Sequence, residues 1–89
     1  MALEHRILRL NDQITALTAD EAQASAELGM LVHIDDDAQR DAVVSDHPID
    51  RADANETAGD VERIRRHVEQ LARKRKRLEA RRDRMLGRL

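Results

Sequence analysis

Stepping alternately by four and three residues from Leu3 lands on Leu3, Ile7, Leu10, Ile14, Leu17, Glu21, Ala24, Leu28 and Leu31, and eight of these nine positions are apolar. The same step from Val61 lands on Val61, Ile64, Val68, Leu71, Arg75, Leu78, Arg82, Met85 and Leu89, of which seven of nine are apolar. An apolar period of 3.5 residues, held this long on both sides of the chain, constrains the fold more than any other feature. It makes each half a helix with one narrow stripe, and a stripe must be covered by another stripe. Ala, Leu, Arg, Glu and Lys dominate both halves and favour helix. Glu62–Arg66 and Glu69–Arg73 are spaced to pair one turn apart, each pair contributing a few tenths of a kcal/mol.

The two stripes can cover each other within one chain. If facing positions sum to about 96, Ile7 meets Leu89, Leu17 meets Leu78–Glu79, Leu28 meets Val68 and Leu31 meets Ile64. Glu21 then meets Arg75, so the two polar interruptions fall opposite each other and can set the register. Registers displaced by a heptad remain open. The centre of this hairpin is residue 48, and residue 48 is Pro48, the only proline.

Proline keeps the residue before it out of the helical region, so the first helix ends by Asp46 or His47. It is well placed in the first turn of the next helix, where its missing N–H has no partner to lose. Asp46, Asp50 and Asp53 are expected near that N-terminus, accepting from free N–H groups. The predicted fold is all-α, an antiparallel two-helix coiled-coil hairpin with an acidic tip. It forms a single unit over 1–89, with helix one over about 3–45, the tip over 45–50 and helix two over about 50–87. The turn chemistry lets helix two start as early as Pro48 and run to near Leu86. The segment 35–45 is left open between a continuation of helix one, frayed chain and a separate short helix.

Composition narrows the function. Phe, Tyr, Trp and Cys are absent, which excludes disulfides, thiolate metal sites and cysteine nucleophiles. A cysteine-free chain suits a reducing, cytoplasmic compartment. Neither a membrane span nor a signal-peptide pattern is present. Charge is segregated. Residues 35–60 hold nine acids against Arg40 and Arg51, whereas residues 62–89 hold twelve bases against four acids. One end therefore seeks cations or basic surfaces and the other seeks anions.

Three constellations carry the candidate chemistry. Carboxylates around Pro48 can be carried into a partner on a stiff rod, toward its metal ions or basic groups. They equally suit a turn that caps helices. His33 with Asp35 to Asp37, or His47 with Asp46 and Asp50, have metal-ligand chemistry, but no spacing matches a known site and no metal or other cofactor is expected. A basic docking face comprises Arg66, Arg73, Lys74, Lys76, Arg77 and Arg81, suited to phosphates or to an acidic protein groove. It also reads as the solvated flank of a coiled coil. No phosphate loop and no nucleophile–base motif is present. A two-helix rod offers no pocket to tune a catalytic group, so the chain is not expected to be an enzyme.

The stretch "DHPIDRA", Asp46 to Ala52, resembles the coiled-coil tip of the DksA/TraR family, whose members bind RNA polymerase. That tip carries an Asp-x-x-Asp-x-Ala pattern, often with proline inside it, and some members have Asn-His-Pro-Ala-Asp. Pro48, Asp50, Arg51 and Ala52 match residue for residue. His47 stands where the first acid is usual, and Asp46 lies one residue earlier. The long charged helix leading to Gly87 is also similar, but the four-cysteine zinc finger that follows it in the family is missing here.

The resemblance implies a bacterial transcription modulator that acts without chemistry. Its rod would enter the secondary channel of RNA polymerase and bring the tip near the catalytic magnesium region, as the rods of Gre-type transcript cleavage factors do. The implied partner-binding tip is Asp46, His47, Asp50, Arg51 and Ala52, with Asp50 the main acid and Ala52 a small residue allowing close approach. Without the finger, docking would be weak, and a competitor role is open. The alternative is a structural or adaptor coiled coil that self-associates as a dimer or four-helix bundle, or binds a partner helix or nucleic acid through its basic helix.

Overall fold

A computed structural model describes residues 2–89. It contains two helices, α1 (Ala2–Ser45) and α2 (Pro48–Leu86), packed along their whole lengths. The fold is the expected all-α hairpin, with extents of 65 × 15 × 13 Å. The segment 35–45 is neither frayed nor separate, because α1 runs through it without a break. Its continuity has a physical source. Stepping on from Leu31 by four and three reaches Asp35, Ala38 and Ala42, and all three are half-buried against α2. On α2 the same stepping extends back from Val61 through Thr57 and Ala54 to Asp50. The seam thus reaches the turn, in small and polar residues rather than aliphatic ones.

The densest packing is at the end away from the turn. Ile7, Leu10 and Met85 form a buried cluster, with Leu3 and Leu78 against it. The facing pairs sum to 95 or 96, as in Leu10 with Met85, Leu17 with Leu78 and Glu21 with Arg75. Leu89 does not meet Ile7. It lies beyond the end of α2 and is exposed, while Met85 fills that place. Closer to the turn, Asp35 meets Thr57 and Gln39 meets the carbonyl of Ala54. No described side chain is fully buried. The accessible surface is 6503 Å², against about 5,300 Å² for a compact protein of this mass.

Polar groups cross the seam at four places. The Arg75 guanidinium makes a two-pronged pair with Glu21 and also donates to Glu79 at 2.9 Å. These bonds, to Glu21 above all, raise the Arg75 pKa further above its already high ordinary value. Arg82 donates to Asn11 at 3.3 Å, Thr57 donates to Asp35 at 2.7 Å, and Gln39 donates to the Ala54 carbonyl at 2.9 Å. Of the two expected intrahelical pairs, Glu62–Arg66 forms at 3.3 Å. Glu69 and Arg73 make no ion pair among the described residues, both side chains extending into solvent instead.

Candidate functional site at the hairpin tip

Only Asp46 and His47 separate the helices, and each has a defined conformational task. Asp46 has φ of 49°, the left-handed region. Its N–H donates to the Ala42 carbonyl at 3.0 Å, which closes the last turn of α1 in the manner of an αL cap. Glycine is the usual residue there, and aspartate is among the few others that tolerate it. His47 is extended and caps α2: its Nδ1 accepts from the Ile49 N–H at 3.1 Å. The cap is therefore this imidazole and not one of the expected aspartates. Proline at the first helical position makes the residue before it the cap by position.

The carboxylates are engaged beside the cap. Arg51 donates to both the main-chain carbonyl of Asp46 at 3.0 Å and its carboxylate at 2.5 Å. Asp50 accepts from the Ser45 hydroxyl across the turn. Ser45 in turn accepts from the His47 N–H at 3.3 Å. Asp46, His47, Asp50 and Arg51 are thus brought into one hydrogen-bonded group that ties the end of α1 to the start of α2. Asp46 still presents its outer surface to solvent, at 82% side-chain exposure. Ala52 is exposed on α2, next to Arg51.

Three aliphatic side chains surround the group. Val43 is 83% exposed, Val44 86% and Ile49 64%. Val43 and Val44 line a shallow apolar depression of about 310 Å³ with Gln39 and Arg40. Sequence reasoning passed over these residues because it attended to the acids. The signal was present: Val43 and Val44 sit one and two places after the seam residue Ala42, on the outward face, where a lone hairpin has no use for β-branched aliphatics. The tip is therefore an acidic, preorganised turn with an apolar collar.

The basic docking residues do not share one face. Lys74 and Arg81 border a groove between the helices. Arg66 is drawn to Glu62. Arg73, Lys76 and Arg77 are exposed on the outer surface of α2 with no ion pair among the described residues. His33 lies 3.9 Å from Asp37 on α1, and His47 is occupied as the cap. Among the described residues no three His, Cys, Asp or Glu side chains converge as a metal site would need. No described helix is long and apolar enough to cross a membrane.

Asp35 is a second polar feature of this half. Hydrogen bonds from Gln39 and then from Thr57 hold its carboxyl below the usual aspartate range. In comparisons with protein-family models, curated proteins and solved structures, the chain matches none.

Proposed function

We propose that the protein is a non-catalytic binding module that works through its tip, and that its partner is bacterial RNA polymerase, entered through the secondary channel. The observation that carries this reading is the construction of the tip. A turn of two residues holds Asp46, His47, Asp50 and Arg51 in one hydrogen-bonded group, and Val43, Val44 and Ile49 stand exposed around it. Exposed aliphatics beside fixed charges are the make-up of a protein-contact site. The rod has extents of 65 × 15 × 13 Å, a long, slender shape that suits insertion into a channel. The partner's identity rests on the resemblance of "DHPIDRA" to the DksA/TraR tip.

In this role the tip does not exchange protons or atoms. The αL turn and the His47 cap fix its shape before binding, which lowers the ordering cost of association. Asp50 offers charge on the side facing Ser45, and the aliphatic collar supplies apolar contact. Retention of core RNA polymerase on the immobilised protein tests the reading, with in vitro transcription run on the same samples. Asp50→Asn is expected to keep the hairpin and lose most of the transcriptional effect. Val44→Asp is expected to lower polymerase retention at least tenfold. An Asp50→Asn protein with wild-type effect, or no retention at all, would sink the proposal.

A further inference from the structure

The two long edges of the hairpin are built differently. On one edge, residues just after a seam position close the gap, as Asn11 does with Arg82 and Gln39 with Ala54. On the other edge, the residues just before a seam position stand apart and leave a groove. The groove is continuous, because its successive sections share walls. Gln13 links the section near Leu10 and Met85 to the section near Leu17 and Leu78. Asp20 links that one to the section near Ala24 and Leu71, and Glu27 links the last to Leu31 and Ile64. The floor of each section is aliphatic, and the Glu21–Arg75 pair lies between the second and third. The most voluminous of these sections, about 450 Å³, lies over Leu17 and Leu78.

The walls carry charge in order. At the end away from the turn they are Arg6, Arg9 and Arg81. In the middle Lys74 stands across from Asp20. Toward the turn they are Glu27 and Asp60, with Arg63 drawn onto Asp60. Arg6, Arg9, Arg81, Lys74, Asp20 and Glu27 form no ion pair within the chain among the described residues. A groove that runs from positive to negative is complementary to its own reverse.

We propose that this groove binds a second copy of the chain, laid antiparallel about a two-fold axis near Asp20 and Lys74. Arg6, Arg9 and Arg81 of each copy then face Glu27 and Asp60 of the other, and each Lys74 faces the opposite Asp20. Such an interface is isologous, as two-fold contacts must be. From Arg6 to Leu31 the groove spans roughly 38 Å. At the rod's width of 15 Å the two copies cover about 1,100 Å² in total, just above the ~1,000 Å² that a specific interface needs. The same contact covers the half-buried aliphatics that two helices alone leave wet. It stops short of the turn, so the dimer carries a free tip at each end.

Sedimentation equilibrium of the full chain tests this. A dimer is expected at about 50 mM salt, weakened at least tenfold at about 500 mM, because the facing charges are screened. Arg6→Glu/Arg9→Glu makes both ends of the interface repel, and so does Glu27→Arg. Each variant alone is expected to be monomeric with unchanged helicity by circular dichroism. Mixed in equal amounts they are expected to form a heterodimer, since both contacts of the mixed pair are attractive. A monomeric wild type overturns the proposal and leaves the groove to some other helix. A dimer indifferent to both reversals, or a mixture that stays monomeric, overturns it too. Asp50→Asn is expected to dimerise normally, which separates this contact from the tip.

Discussion

The half of the hairpin away from the turn and the half beside it share one seam geometry and differ in what fills it. Beyond Glu21–Arg75 the seam is Leu3, Ile7, Leu10, Ile14 and Leu17 against Leu78 and Met85. Beside the turn it is Ala38, Ala42 and Ala54, with Asp35 and Thr57 facing each other across it. The first half is held by its buried aliphatic cluster; the second is held by the half-buried Leu28, Leu31, Ile64, Val68 and Leu71 and, nearest the turn, by hydrogen bonds and the shortness of the turn. The two ends of the rod are therefore fastened differently, one by burial and one by hydrogen bonds, although the backbone is equally helical in both.

The largest effect that would break this comparison is the cost of removing aliphatic volume. Leu10→Ala is expected to cost about 3 kcal/mol and Leu31→Ala about 1 kcal/mol, because the first empties a buried cluster and the second a half-exposed site. Urea unfolding of both variants measures the difference, and equal costs would mean that the two halves pack alike. At the boundary between the halves, Arg75→Leu leaves Glu21 in the seam without its guanidinium, and the melting temperature should fall by several degrees. Glu21→Leu with Arg75→Leu should raise it, while loosening the alignment that the pair specifies. Duplicated backbone resonances in the double variant would report that loss.

Within the tip half, Asp46→Val is expected to cost about 1–2 kcal/mol by forcing a β-branched residue into the left-handed region. Asp46→Asn, which tolerates that region, should stay within about 0.5 kcal/mol of wild type. Thermal melts that rank the two equally would remove the αL cap from the account. The smallest effect concerns Asp35. Its carboxyl is held below the ordinary range by Gln39 and Thr57. Its stabilisation is therefore present above the ordinary aspartate pKa of about 4 and is lost as pH falls through the lower folded value. Melts between about pH 5 and pH 2 should show a shallower acid decline in Asp35→Asn than in wild type.

The hairpin and its register were legible because Leu and Ile at seam positions leave no other face to bury. The expected sum of 96 differs by one from most facing pairs and matches Glu21–Arg75. The seam beside the turn was obscured because Asp35, Asp50 and Thr57 interrupt it and its alanines are short, although the 4–3 step continues through them. Ile7 was misassigned to Leu89 because the step was carried past Gly87, where the helix stops. At the tip, the acids drew attention from His47, whose place before Pro48 already made it the cap. The outward place of Val43 and Val44 follows only once the 4–3 step is carried past Leu31 to Ala42.

The two-residue turn also bears on how the chain closes. Joining Gln39 to Ala54 closes 15 residues, and joining Asn11 to Arg82 closes 71. The entropic preference for the shorter loop is only about 1.4 kcal/mol, less than the expected contribution of Leu10 alone. Assembly is therefore not obliged to zip from the bend outward, since the distant clasp can form first and hold while the bend is still open. In the finished molecule the two closures then hold the rod at both ends, the distant one by buried aliphatics and the near one by the bonded turn.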